Sequence, residues 1–165
     1  MGQVSIERCT DATAIAHIHA VTVRVAYRRF FPAESPPPTV TELCDVWTAR
    51  LADPTAAVLM ARVDGRPVGS VLTRADAQCP GGELAALHVL PAEWGQRIGS
   101  ELHDAALAEL AKAGHETAWL WVIAANERAR RMYERRGWTP RPDITQDYLG
   151  ILEMRYSRLT ARVAK

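Results

Sequence analysis

What this sequence lacks narrows it before anything it contains. Its 165 residues include three cysteines, Cys9, Cys44 and Cys79, far apart and with no C-x-x-C pair. An odd, scattered set of thiols excludes a disulfide framework and a zinc knuckle, so free buried thiols in a reducing compartment are expected. No apolar run approaches the roughly 20 residues that cross a bilayer, and the N-terminus lacks a basic-then-apolar signal pattern. A cytoplasmic protein that does not engage a membrane is expected. Charge of one sign is missing too. Twenty Lys and Arg stand against 19 Asp and Glu, a formal +1, which leaves no global field to draw in nucleic acid. The histidines form no cluster. His17 and His19 are two apart in a helical pattern and diverge, and His103 and His115 read as surface residues, so no metal is expected.

What is present suits a globular α/β chain. Hydrophobic residues make up 48% and charged residues 24%, and this length is expected to form a single domain over residues 1–165. Val4 to Ile6 can open a strand, and Thr10 or Asp11 can cap a helix whose stripe is Ile15, Ile18, Val21 and Val25. Pro32, Pro36, Pro37 and Pro38 make Phe31 to Thr39 a loop, either a connector or a wall facing substrate. Thr41 to Leu51 reads as a second helix. Ala57 to Val63 and Arg66 to Thr73 flank Asp64-Gly65, a two-residue hairpin signal. Cys79-Pro80-Gly81-Gly82 reads as another loop, followed by a strand from Glu83 to Val89. A helix from Arg97 to Ala113 follows, with Ile98, Leu102, Ala106 and Leu110 on one stripe and Gly114 as its stop. Thr117 to Ile123 is an apolar strand, with Trp119 and Trp121 read as packing. Leu149 to Tyr156 supplies a last strand.

Two stretches carry chemistry. At a strand-to-helix junction, Trp94-Gly95-Gln96-Arg97-Ile98-Gly99-Ser100 combines tight-turning glycines with the N–H groups of a helix start, a favourable place for a pyrophosphate. A dinucleotide-binding fold is excluded by spacing, since G-x-G-x-x-G is absent. Downstream, Asn126 can cap a short helix that puts Asn126, Ala129, Met132 and Tyr133 on one side. A tyrosine there can donate a proton to a departing thiolate, or simply pack in the core. Arg128, Arg130, Arg131, Arg135 and Arg136 interleave with Glu127 and Glu134 and read as a solvated face.

Taken together, L-x-V-x-P at Leu87 to Pro91, W-G-x-x-I-G-S at Trp94 to Ser100, N-x-x-A-x-x-x-Y-E from Asn126 and the closing Gly137-Trp138 resemble the acyl-CoA core of GNAT acetyltransferases. Ile18-His19 and Arg24 to Arg28 are similar to the first helix of many bacterial members. The resemblance implies a mixed, mostly antiparallel sheet, splayed between its middle strands and flanked by helices, with acetyl-CoA as co-substrate. It implies a cofactor site of Leu87, His88 and Val89, then Trp94, Gly95, Gln96, Arg97, Ile98, Gly99 and Ser100, then Asn126, Ala129 and Tyr133. Tyr133 would be the general acid and Glu83 the base. Two positions depart from the family pattern: Trp94 stands where Gln or Arg is usual, and Arg97 where Gly is usual. Arg97 either turns outward toward a phosphate or weakens binding.

Alternatives stay open at several points. His88 is a second candidate base; strict alternation faces it away from Glu83, although a bulge would reverse that. The acceptor is expected to be a small-molecule primary amine, attacked directly in a ternary complex. A protein N-terminus or lysine is the alternative. A non-catalytic acyl-CoA sensor is the rival from outside enzymology. A homodimer is compatible with the resemblance.

Overall fold

The computed structural model describes residues 2–160. Seven strands form one sheet: β1 (Val4–Arg8), β2 (Ala57–Val63), β3 (Arg66–Asp76), β4 (Cys79–Val89), β5 (Thr117–Ile123), β6 (Thr139–Tyr148) and β7 (Ile151–Leu159). Their order is β1-β2-β3-β4-β5-β7-β6. Every neighbouring pair is antiparallel except β4–β5, which is parallel. The β4–β5 connection runs through helix α3 (Ile98–Lys112).

Both faces of the sheet are covered, and the strands show it in their alternation. In β2, Val58 and Met60 pack with Leu72 under α1 (Ala12–Thr22) and α2 (Val40–Leu51), against Ile15, Ile18, Leu43 and Trp47. Leu59, Ala61 and Val63 point the other way, into a cluster with Leu102, Ala106 and Leu110 of α3 and Tyr133 of α4 (Glu127–Arg135). Period two in the strands meets period 3.6 in the helices, which is what closes both cores. Trp47, fully buried, contributes about 2–3 kcal/mol of apolar burial to the α1–α2 side.

Local chemistry sets the element ends. Asp11 caps α1 by accepting from Ala14 N–H, and Thr39 with Glu42 forms a capping box at α2. Asp64 and Gly65 both have positive φ, 49° and 80°, as the expected two-residue hairpin requires. The α1 helix does not run on regularly. Beyond Thr22 it widens into a π-helical turn over Val23–Tyr27, and Val25, expected on the buried stripe, is exposed.

Three other expectations are corrected. Cys79 to Gly82 is not a loop but the first turn-free stretch of β4, and the turn falls at residues 77–78. The stretch from Thr139 to Tyr148 is a full strand, β6, and Leu149 (φ 53°) and Gly150 (φ 82°) form the β6–β7 turn rather than the start of β7. Among the cysteines, Cys9 is buried, whereas Cys44 and Cys79 are only half-buried; all three are free. No helix among the described residues is long and apolar enough to cross a membrane.

Candidate active site

The parallel pair β4–β5 holds together only at Gly82–Ala118 and Glu83–Trp119. Past Glu83 the strands separate, and β4 keeps β3 as its sole strand partner to Val89. A bulge lies in this free half. Leu72 pairs with Ala85 but Ser70 pairs with His88, so β4 carries one extra residue, and Ala86 takes φ 50°. Bulges bend a strand and re-aim its side chains. Here the consequence is specific: Arg74, Leu72 and Ser70 share a face of β3, so their partners Glu83, Ala85 and His88 share a face of β4. Strict alternation would have put His88 with Leu84. The bulge reverses its direction.

A cavity of about 900 Å³ occupies the gap. It brings together Glu83, Leu87, His88, Asn126, Ala129 and Tyr133 from the expected site. Its outer walls are α1 with the π turn, the proline loop, α2 and the β6–β7 hairpin, through residues such as Tyr27, Pro37, Arg50 and Tyr148. The proline loop is therefore a wall and not merely a connector; Arg28 ties it down by donating to the carbonyls of Pro32 and Ala33 at 3.1 and 2.8 Å.

The electrostatics inside are uneven. Glu83 is buried and pairs with Arg74. His88 stacks on His19 with ring centroids 4.3 Å apart, and Trp47 Nε1 donates to His19 Nδ1 at 3.1 Å. Both imidazoles are held neutral. Burial is the main cause in each case; Arg50 helps bring His19 down to about 4, and His19 and Arg50 push His88 further below its ordinary value. Tyr133 is buried against His103, Trp138 and Tyr156. Burial, with the nearby Tyr27, raises its pKa well above the phenolic range, so it holds its proton at neutral pH.

Val89 and the run Trp94 to Ser100 lie just beyond the cavity, at the α3 start. A Cβ on Gly99 would stand 3.6 Å from Val89 Cγ2, so the two segments abut. The α3 N-cap is Arg97, in the left-handed region at φ 66° and ψ 0°, and no side chain caps the helix. Among the described residues nothing accepts from the N–H groups of Ile98 and Gly99, and the first turn is left as a donor set for an anion. Arg97 and Gly95 (φ 84°) are exposed. Trp94 Nε1 donates to the Val89 carbonyl at 2.8 Å, and the Gln96 amide is tied back to Glu93 at 2.8 Å, so neither side chain is aimed at the turn. Asn126 accepts from Ala129 N–H at 3.2 Å and is a true cap.

Several sequence readings change here. His103 is buried, not superficial: its Nε2 accepts from Trp138 Nε1 at 2.8 Å while Nδ1 faces Asp104. Trp119 and Trp121 line the cavity rather than only packing, and Trp119 Nε1 is buried without a partner. The arginine run is not wholly a solvated face, since Arg130 reaches Tyr156 OH and the Ala124 carbonyl, each at 3.1 Å. Arg50 and Arg74 also line the cavity, and nothing in the sequence marks them. The described residues contain no group of three or more His, Cys, Asp or Glu placed to hold a metal ion.

A parallel strand pair that opens beside an uncapped helix start, with a buried tyrosine in the gap, is the arrangement that the resemblance to acyl-CoA-dependent acetyltransferases leads one to expect. Residues 20–138 match the model of the Acetyltransferase (GNAT) family, and the chain belongs to that family. It is an acetyl-CoA-dependent acyltransferase. Over 140 residues it is 34% identical to an uncharacterized N-acetyltransferase of Mycobacterium bovis, covering 78% of this chain and 83% of that relative. Its fold is similar to PaiA N-acetyltransferase from Thermoplasma acidophilum in complex with coenzyme A, with TM-score 0.72, 17% identity, and 93% and 98% of the two chains covered. It is also similar to the ribosomal-protein-S18-alanine N-acetyltransferase from Escherichia coli, with TM-score 0.69, 20% identity, and 100% and 97% covered.

Proposed function

We propose that the enzyme transfers an acetyl group from acetyl-CoA to a primary amine of a small molecule, by direct attack within a ternary complex. The observation that supports this reading is the cavity itself, whose outer walls are the proline loop, α2 and the β6–β7 hairpin. A protein N-terminus or lysine needs an open groove for its flanking chain; a free amine needs only a pocket.

In this reading the first-turn amides of α3 take the pyrophosphate, and Asn126 and the Leu87–Val89 edge of β4 take the pantetheine arm. The Val89 carbonyl is occupied by Trp94, so its N–H is the group that steadies the acyl oxygen as charge builds there. An ammonium has no lone pair, so a proton must leave first. Glu83 receives it through water; His88, kept neutral by burial and by the charge of Arg50, forms the wall beside it. Tyr133 then protonates the departing sulfur.

Thiol release measured across a broad panel of primary amines, with mass spectrometry of the products, tests the reading. Release with small amines, and a fall in kcat of about 100-fold or more in Glu83→Gln, is expected. Acetyl-CoA binding without release from any amine would turn the protein into a sensor. Release only with peptides would replace the small-molecule acceptor by a protein one.

A further inference from the structure

Nearly every charged group that lines the cavity has a partner within the protein. Arg74 pairs with Glu83. Arg28 holds the proline loop. Glu42 closes the capping box on Thr39. Asp76 accepts from the Gln78 N–H at 2.8 Å, and Glu153 accepts from Gln146 Nε2 at 2.7 Å. Arg50, in the last turn of α2, is the exception: among the described residues no carboxylate or carbonyl accepts from it.

Its one marked contact is with Trp47, the guanidinium carbon lying 4.8 Å from the ring centroid. Stacking of that kind uses the face of the guanidinium and leaves its edge of N–H donors unspent. Burial, followed by the charge of Arg74, lowers the Arg50 pKa, and Tyr148 and Glu83 offset this only in part, so the half-buried side chain has given up some of its water without a direct acceptor. A partly desolvated donor edge of this kind gains when an anion meets it.

The rest of the lining restricts which anion. Three arginines face four carboxylates, and His19 and His88 add no charge. A polyanion would meet net repulsion and a polyamine would leave Arg50 unanswered. A molecule with one ammonium and one carboxylate matches both ends, and Tyr27, Trp119 and Trp121 offer an apolar surface to its body.

We infer that Arg50 binds a carboxylate of the acceptor, and that the acceptor is an amino acid acetylated on its free amine. The inference rests on the amine-acetylating reading above. The ammonium loses one proton before attack; the N–C bond forms and the thioester C–S bond breaks. The nitrogen then gives up a second proton and the sulfur takes one, so a single proton is released overall.

The test uses the twenty proteinogenic amino acids with the wild-type enzyme, and then, for the best acceptor, its carboxamide and its decarboxylated amine. The free acid should exceed both by about 10- to 100-fold in kcat/KM, the range of a charge-assisted bond. Arg50→Met should erase that preference and Arg50→Lys retain part of it, with acetyl-CoA affinity by calorimetry unchanged in both. Equal or better turnover of the carboxamide and the decarboxylated amine would overturn the inference and leave amine acetylation standing, as would acetylation of other amines but of no amino acid. Thiol release with no amine at all, despite acetyl-CoA binding, would overturn the underlying reading. The wild-type comparison needs no variant to fold.

Discussion

Replacing Tyr133 by phenylalanine removes one oxygen from the cleft and leaves almost everything else in place. The ring packs against Trp138, His103 and Tyr156 at centroid separations of 5.9, 6.5 and 6.5 Å, contacts that phenylalanine keeps. Among the described residues no group hydrogen-bonds the hydroxyl, so stability should change by less than about 1 kcal/mol. The catalytic effect depends on what the proton is worth. A thiolate with a pKa of about 8.5 is already a fair leaving group at neutral pH. Its protonation therefore belongs at the low end of the roughly 100- to 10,000-fold range for general acids. A 100-fold fall in kcat, about 2.7 kcal/mol, is expected. Because burial and Tyr27 keep the phenol protonated well past its ordinary pKa, wild-type kcat should show no alkaline fall attributable to Tyr133. Single-turnover thiol release measures the chemical step, and calorimetry the acetyl-CoA affinity, which should be unchanged. A chemical rate within threefold of wild type would refute the assignment. So would a tenfold loss of affinity with the rate retained, which would make Tyr133 a binding group.

The remaining predictions concern strain and pH. Arg97 sits at φ 66°, a conformation costing a non-glycine residue about 1–2 kcal/mol, whereas glycine there loses about 0.5–1 kcal/mol in chain entropy. Arg97→Gly should raise Tm by about 1–4 °C and hold acetyl-CoA affinity within threefold; a lower Tm would show that the side chain makes up for its backbone. Acid should weaken the fold through its buried neutral histidines. The folded pKa values of His19, His88 and His103 all lie below the ordinary value of 6.5, so between the two values the unfolded chain binds more protons. Stability is full above pH 6.5 and is lost as pH falls toward the folded values. With His19 at about 4, it alone accounts for roughly 2 kcal/mol between pH 7 and pH 5. Denaturant midpoints that stay level over that interval would contradict the neutral, stacked pair.

Local rules made some of this legible in the sequence. Asp64-Gly65, the Asn126 cap and the Gly114 stop each follow from one or two residues, and each is where it was expected. The parting of β4 from β5 was instead expected only through the family resemblance that the order of the motifs carries. Where packing decides, the sequence misled. Gly81 and Gly82 looked like a turn, but a Cβ on Gly81 would lie 2.6 Å from Thr117 Oγ1, and one on Gly82 would lie 2.4 Å from Leu110 Cδ2. These glycines allow close approach inside a strand, not a reversal of the chain. β6 was hidden because it is an edge strand, mostly exposed, with Pro140 and Pro142 near its register shift. His103 could have been found: with Ala106, Leu107 and Leu110 it completes a helical stripe. Arg50 could not. Its meaning depends on which groups α2, β3 and β4 bring around it.

The bulge at Ala86 is where backbone and chemistry meet. One extra residue in β4 costs about 1 kcal/mol of left-handed strain at an alanine, and it is held by apolar packing on both sides, with Leu87 and Val89 against the α3 cluster and Ala85 and Leu90 against α1 and α2. Without it, Ser70 would face Leu87, and His88 would turn toward α3, away from His19. Glu83 would then be the only carboxylate or imidazole left on its face of β4, and the His19–His88 stack would not form. The insertion also falls in the half of β4 that has left β5, where no second strand constrains the backbone. The strands part beyond Glu83, and the freedom gained by parting lets β4 carry the bulge. That bulge turns one more side chain, His88, into the cavity.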